Sequence, residues 1–584
     1  MNSKENERLC FKSVITRIKP YIMWISPCIL VIVFWAFVYP YHILFTEQLS
    51  LFLYSSGYLR EYALMPGGWA EYVGNFLSQF YINKWTGALI QTLLFVALTV
   101  LARGILKKIG ATGNILLISL FPALLLWALQ LDNRFTVGNS LMFISPFALT
   151  LLYINISSIF TRRLAFSIAI IPVYLISDAI ATCSLYVACV IYELFYAKDK
   201  WRYSTTVWLI AAGAMPPLWQ KVYIMHNDVL YQILNYQLVD DIKYVPLILL
   251  AFTPLCLLIF RIAGRQQLAL LTATRANKFV LAFCIVGIFS CGAYLFSKTF
   301  DLLEEQKFGM HFSFTQGNWE RVLKINQRIK NPDQHTAYFA NMALSKQGML
   351  PERMFHYSQT DENGLLLLRM WNDFNLRYGS DYYHHVGILN EAIRWIYDAH
   401  ISRSRGMDYH TLTRLALWNK EAGYEPLAAK YFDILENTLM YRSFAKRQRS
   451  KPTPENIANN REMVDFYIGG REILVDMAYH FDNNLDNEVI RDFLLCYLLL
   501  KKDLPKFLEL FNFSFSRELK IPQVYQEALL MIAHMGGADI RNYHVDAANV
   551  QRFSNLNDLA NRGNREALKK HFGNTWWYYF ISTN

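Results

Sequence analysis

Apolar runs long enough to cross a bilayer fill residues 21–297 and do not recur beyond them. A hydrocarbon core of about 30 Å takes about 20 apolar residues of helix, and inside it every backbone N–H and C=O must be satisfied within the segment. Nine runs read as spans, at 21–45, 85–102, 113–131, 137–160, 164–177, 180–196, 203–219, 244–262 and 279–297. From Lys298 the pattern becomes that of amphipathic helices with short polar breaks and almost no alternating strand signal. The expected fold class is therefore all-α, a polytopic transmembrane helix bundle followed by an α-solenoid of helical repeats. Three regions follow: an N-terminal segment 1–20, a transmembrane domain 21–297 and a helical-repeat domain 298–584.

Charge decides the partners and the orientation. Up to residue 297 there are 22 Lys and Arg against 12 Asp and Glu, and beyond it 35 against 34. Nearly all of the net charge of +11 thus sits in loops flanking the spans, which points to a lipid bilayer and away from nucleic acid. With the N-terminus in the cytoplasm, nine spans leave 17 basic residues inside and 5 outside, as the positive-inside rule requires. The balance depends on splitting residues 164–196 at Ser177-Asp178. One long helix there would carry the Lys198, Lys200 and Arg202 cluster outside and residues 298–584 into the cytoplasm. With the split, the helical-repeat domain faces the periplasm or cell exterior, and the chain belongs in a bacterial cytoplasmic membrane. The first apolar run is too long for a cleavable signal. Only Cys496 of the eight cysteines falls after Lys298, so no disulfide within that half is expected.

The first outer loop, 46–84, repeats apolar residues at helical spacing: Leu49, Phe52 and Leu53, then Trp69, Tyr72, Val73, Phe76, Leu77 and Phe80. Pro66-Gly67-Gly68 lies between the two groups, so two short amphipathic helices on the outer membrane surface, joined by a tight turn, are expected. In the second half, Gly317, Gly348, Gly387 and Gly423 are spaced 31, 39 and 36 residues apart, each at a helix–helix turn. The segment TRLALWNKEAGYEPLAAKYFDIL resembles a tetratricopeptide repeat, with Leu415 and Trp418 before the glycine and Ala428 and Phe432 after it. Such pairs bury their apolar faces only against neighbours. Residues 446–460 read as an exposed basic connection, and the aromatic run at 576–580 as a terminal segment docked on its own domain in preference to the membrane.

No motif dictates a reaction. HExxH, CxxC, a P-loop, a GxSxG elbow and a dinucleotide fingerprint are all missing from the sequence. His384 and His385 read as surface residues, and Asp240-Asp241 as a solvated pair. Asp178 is the physically unusual residue, because a carboxylate between apolar segments is costly unless it faces water or a partner. Asp132, Asn133 and Arg134 form a very short outer turn, where capping and solvation are the plain explanation.

As a whole the chain resembles an uncharacterised family of bacterial multipass proteins, a domain of unknown function. The resemblance is carried by EQLSLFLYSSGY, PGGWAEYVGNFLSQF, WTGAL, GNWERVL, NMALSKQGML, YQEAL and FGNTWWYYF. The membrane half more distantly resembles glycosyltransferases that use lipid-linked sugars. What that resemblance implies is an acidic residue just past the first span serving as base or metal-site carboxylate, a polyprenyl-phosphate sugar donor and a divalent metal. Glu47 stands at that position, with Gln48 where the pattern has a second acid; a plainly solvated Glu at the water interface is the alternative. Glu47, Asp178, Asp132 and Arg134 are thus the candidate catalytic set. Two functions follow. One is sugar transfer from a lipid carrier, with the solenoid holding a glycan or protein. The other is a non-catalytic envelope scaffold that anchors a partner-binding solenoid. A transporter is the weaker third.

Overall fold

The computed structural model describes residues 25–111, 115–197, 199–222, 242–262, 275–368, 373–402, 407–452, 473–515, 520–536 and 543–582. Residues 1–20, Asp240-Asp241 and most of the basic connection 446–460 lie outside them. The described residues are helical throughout, with no strand among them. They form two compact units, one of Met1–Leu302 with Asn437–Leu439, the other of Leu303–Glu436 and Met440–Asn584.

In the first unit α1 (Ile25–Val38) and α2 (Pro40–Gln48) meet at a 70° bend. The single straight span expected at 21–45 is therefore broken. Pro40 has no N–H for the helix ladder and its ring opposes the preceding turn, so Tyr39 leaves helical geometry at φ −130°, ψ 43°. The outer loop then differs from its expected form. Residues 50–54 are not helical, and the two short helices are α3 (Ser56–Ala63) and α4 (Gly68–Ser78), turned by Gly67 at φ 68°. The face of α4 that is buried is the small one, Gly68, Ala70, Gly74 and Ser78, while Trp69 and Val73 stay exposed. A Cβ on Gly74 would lie 2.3 Å from the Gly138 nitrogen, and one on Gly138 would lie 2.8 Å from the Glu71 Cα. Two glycines thus let α4 lie backbone to backbone on α7, inside the protein.

The bundle continues with α5 (Lys84–Lys108), α6 (Ile115–Gln130), α7 (Val137–Asn155), α8 (Ile159–Ile168), α9 (Ile170–Tyr196), α10 (Val207–Val222), α11 (Val245–Ile262) and α12 (Arg275–Thr299). Among the described residues, α5, α7, α9 and α11 are long and apolar enough to cross a membrane, and the bent pair α1–α2 qualifies together. Though α9 qualifies by length, its chain reverses midway. Asp178 has φ 67° and ψ −174°. Its side chain accepts the Ala181 N–H at 2.9 Å and starts a new helix. Tyr186 then donates to the Phe166 carbonyl at 2.7 Å, and Arg162 Nε reaches Glu193 Oε1 at 2.9 Å. In a continuous helix residues 162 and 193 would stand roughly 45 Å apart. Residues 159–177 and 179–196 are therefore the two legs of an antiparallel hairpin.

The remaining contacts of this unit fix helix directions. Trp208 bonds Ser167 at 3.0 Å, and the Trp219 and Tyr174 rings lie 6.2 Å apart, so α10 runs parallel to the first leg of the hairpin. Ser184 bonds the Leu250 carbonyl at 2.7 Å and Tyr196 the Leu257 carbonyl at 3.0 Å, so α11 runs parallel to the second leg.

The second unit comprises α13 (Leu302–Thr315), α14 (Trp319–Asn326), α15 (Gln334–Lys346), α16 (Leu350–Arg353), α17 (Asp373–Val386), α18 (Leu389–Ile401), α19 (Tyr409–Glu421), α20 (Glu425–Glu436) and α21 (Arg442–Ser450). These are followed by α22 (Ile473–Asn483), α23 (Glu488–Lys501), α24 (Leu504–Ser514), α25 (Gln523–His534), α26 (Ala547–Asn561), α27 (Arg565–Phe572) and α28 (Trp576–Ser582). Gly423, at φ 77°, closes α19 with its own N–H on the Lys420 carbonyl at 3.0 Å and the Tyr424 N–H on Asn419 at 2.8 Å. This six-to-one, five-to-two pair of bonds needs a left-handed residue, which glycine supplies without a Cβ penalty. Gly317, Gly348 and Gly387 also have positive φ just beyond α13, α15 and α17. Leu415, Trp418, Ala428 and Phe432 are buried as their spacing predicts. His384 and His385 are not free in solvent: the first stacks on Trp418 at 4.8 Å and bonds Glu421 at 2.9 Å, the second bonds Ser345 at 2.8 Å. Burial lowers the His385 pKa to about 3.

Candidate functional site

The four nominated residues stand in three settings of the first unit. Asp132 and Arg134 form a bidentate pair, Nε to Oδ1 at 2.9 Å and Nη2 to Oδ2 at 2.8 Å, and the Arg134 N–H adds a third bond to Oδ1. The carboxylate is buried while 44% of the Arg134 side chain is exposed, so the pair has one end in the protein and one at its edge. Arg134 is thus held in place as well as capped. The turn 132–135 between α6 and α7 is what brings the two side chains onto one another.

His42 was not among the nominated residues, yet it belongs beside this pair. It sits on α2, donates to the Gln130 carbonyl and lies in the field of Asp132. Its ring packs between Trp35 and Tyr39, at 5.6 and 5.2 Å. Gln130 in turn donates to Ser140 at 3.2 Å, linking the ends of α6 and α7. A lone histidine in an apolar run carries no spacing signal, and only the bend at Pro40 turns it toward Asp132.

Glu47 lies one residue before the end of α2 and is 1% exposed. It is therefore not the solvated interface residue considered above. Its carboxylate is buried, and Gln48 donates to its Oε2 at 2.6 Å. A carboxylate so enclosed is strongly desolvated unless polar groups face it. Asp178 stands apart, at the hairpin tip. Gly67 packs there, with its N–H on the Tyr174 carbonyl at 3.1 Å. A Cβ at Gly67 would lie 3.4 Å from that of Asp178. The α3–α4 turn and the tip of the hairpin thus share one end of the bundle. Trp219, at the far end of α10, reaches the same region through a 2.9 Å bond to the Leu64 carbonyl.

A metal does not fit this set. Both Asp132 oxygens are occupied by Arg134, and among the described residues no group of three His, Cys, Asp or Glu side chains is close enough to hold an ion.

At the opposite end of the same helices is a second polar centre, which the charge count passed over. Glu193 is fully buried and accepts from Tyr153 at 2.7 Å, from Arg162 at 2.9 Å and from Arg163 at 2.9 Å. Arg163 also pairs with Asp199 at 2.5 Å. Two cations thus meet two carboxylates, with every Glu193 oxygen bonded, as a buried charge requires. The positive-inside rule counts only Lys and Arg, so Glu193 and Asp199 were invisible to it.

In the second unit Glu527 is the buried acid of note. Gln523 donates to it at 3.0 Å, the Trp576 N–H at 2.8 Å, and the Trp577 indole bonds its carbonyl at 2.7 Å. Burial raises its pKa to about 7. The segments YQEAL and FGNTWWYYF therefore meet in space, which docks the terminal aromatic run on its own domain.

The model of the Family of unknown function (DUF6057) matches residues 15–583, and the chain belongs to that family. No curated protein and no solved structure matches it.

Proposed function

We propose that this member of a family with no assigned activity is a multipass protein of a bacterial cytoplasmic membrane that transfers a sugar from a polyprenyl-phosphate carrier to an acceptor outside the cell membrane. Nine crossings are supported by the reversal at Asp178 and by the parallel pairing of α10 and α11 with successive legs of the hairpin. An odd number puts the second unit, read as a tetratricopeptide-like solenoid, on the side opposite the N-terminus. There it holds the acceptor, a glycan or a protein.

The observation that carries the enzymatic reading is the burial of Glu47 at the outer end of the first span, where a merely solvated glutamate would be exposed. Glu47 takes the proton of the acceptor hydroxyl, whose oxygen attacks the anomeric carbon. The carbon–oxygen bond to the carrier phosphate breaks, and the electron pair leaves with the phosphate. Arg134, fixed by Asp132 with its outer face open, offers its charge to that phosphate. No step is routed through a metal. In full-length protein in its membrane, Glu47→Gln lowers transfer from a labelled polyprenyl-phosphate hexose by roughly a hundredfold or more, with insertion unchanged. Transfer within a few-fold of the parent, or a parent with no transfer at all, removes the enzymatic reading.

A scaffold reading is favoured by one feature of the second unit. Tyr397 and Ile401 of α18 and Leu427 of α20 are exposed apolar side chains, and Tyr424 beside them bonds Asn390 of α18 at 3.2 Å. A photo-crosslinker at position 397 of the full chain captures a defined partner on this reading. Ile401→Glu abolishes the capture and Glu47→Gln leaves it intact.

A further inference from the structure

The end of the bundle that holds Glu193 carries a basic and aromatic rim. Arg162 and Arg163 are neutralised by Glu193 and Asp199. The next basic residues described, Lys200 and Arg202, are in no ion pair among the described residues. They lie on a short helical turn, residues 200–206, whose flanking rings point outward: Trp201 is 74% exposed and Tyr203 62%. Arg202 Nη2 donates to the Tyr203 hydroxyl at 3.0 Å, and its guanidinium lies 5.0 Å from that ring. Cation and ring are thus held as a unit. Close to this turn Phe160 on α8 and Val207 and Ile210 on α10 are exposed apolar side chains, with exposed Ser158, Thr161, Ser204 and Thr206 among them, and the Trp208–Ser167 bond holds the two helices together.

Along the chain from this turn into α10 the order is cation and amphipathic ring, Lys200 to Tyr203, then hydrocarbon, Val207 and Ile210. It matches the order of an anionic phospholipid from phosphate through glycerol ester to acyl chain. Tyrosine and tryptophan settle at that ester level, and cations there gain from a negative leaflet. Asp199 does not oppose the match, because Arg163 takes its carboxylate. We infer that Lys200, Trp201, Arg202 and Tyr203 form a headgroup site for an anionic phospholipid in the leaflet at the Glu193 end of the bundle. The inference rests on the membrane placement proposed above and is independent of the sugar chemistry. It assigns the lipid to the leaflet opposite Glu47.

The test uses the full chain in bilayers containing either dibrominated phosphatidylglycerol or dibrominated phosphatidylcholine, with the Trp201→Phe protein subtracted to isolate that one indole. Bromine quenches tryptophan on contact. The expected result is Trp201 quenching by the anionic lipid at a roughly tenfold lower mole fraction than by the zwitterionic one. Lys200→Gln/Arg202→Gln should erase the difference while leaving quenching itself in place. Equal quenching by the two lipids in the parent protein overturns the site and leaves a plain aromatic belt. Loss of the preference on adding millimolar inorganic phosphate also overturns it, since the site then reads phosphate alone. If neither lipid quenches any indole, the membrane placement itself has failed, which is a distinguishable result.

Discussion

Asp178 occupies a backbone region, φ 67° and ψ −174°, that is essentially reserved for glycine and costs about 1–3 kcal/mol for other residues. Its side chain recovers part of that by capping Ala181. Asp178→Gly should therefore hold its thermal midpoint near the parent, Asp178→Ala should lose about 1 kcal/mol with the cap, and Asp178→Val should fall furthest. Tryptophan-monitored melting in lipid checks the order. Alanine outranking glycine would mean an unbroken helix through 164–196. Glu527 gives a pH prediction in the second unit. Its pKa is 4.5 when exposed and about 7 in the fold, chiefly through burial. The folded chain thus binds the extra proton between those values. Its contribution is fully present below about pH 4.5 and is lost as pH rises through about 7, a decline on the order of 3 kcal/mol. Glu527→Gln should flatten this window in a urea titration of the full chain, and an unchanged slope between pH 5 and 7.5 would refute the assignment.

The paired glycines at the α4–α7 crossing make an element-scale prediction. Gly74→Ala forces a Cβ to within 2.3 Å of backbone that no rotamer change can clear. It should cost about 3 kcal/mol or more, whereas Gly57→Ala, which meets nothing within 4 Å, should cost under about 1 kcal/mol. A melt that shows no gap between the two would place α4 away from α7. At this scale the sequence was readable where one physical rule acts alone. Spanning length located α5, α7 and α11, and an acid inside an apolar run located the break at Asp178. The near-regular spacing of Gly317, Gly348, Gly387 and Gly423 located four turns, and each of these glycines has positive φ. Where two rules competed it was not readable. Apolar periodicity suggested a helix starting near Leu49, but the chain stays irregular until Ser55 caps Tyr58 at 3.2 Å. The burial of Glu47, the approach of His42 to Asp132 and the union of Arg162 with Glu193 depend on the 70° bend and the reversal at Asp178, which bring distant positions together.

For the whole molecule, the proposed orientation places exposed Ser56 and Asn574 on one side of the membrane and exposed Ser204 on the other. Single cysteines at these positions in a cysteine-free chain should react with an impermeant maleimide accordingly: the first two on intact spheroplasts, the third only after permeabilisation. Asn574→Cys behaving like Ser204→Cys would mean an even number of crossings and a cytoplasmic second unit. One further consequence concerns synthesis. Glu527 receives its bond from Trp576, 49 residues later in the chain. At ribosomal speeds of about 5–20 residues per second, α25 waits roughly 2 to 10 s for the indoles that cover it. During that interval a carboxylate and an apolar helix stand uncovered on a nascent chain, a natural place for a holding chaperone to act.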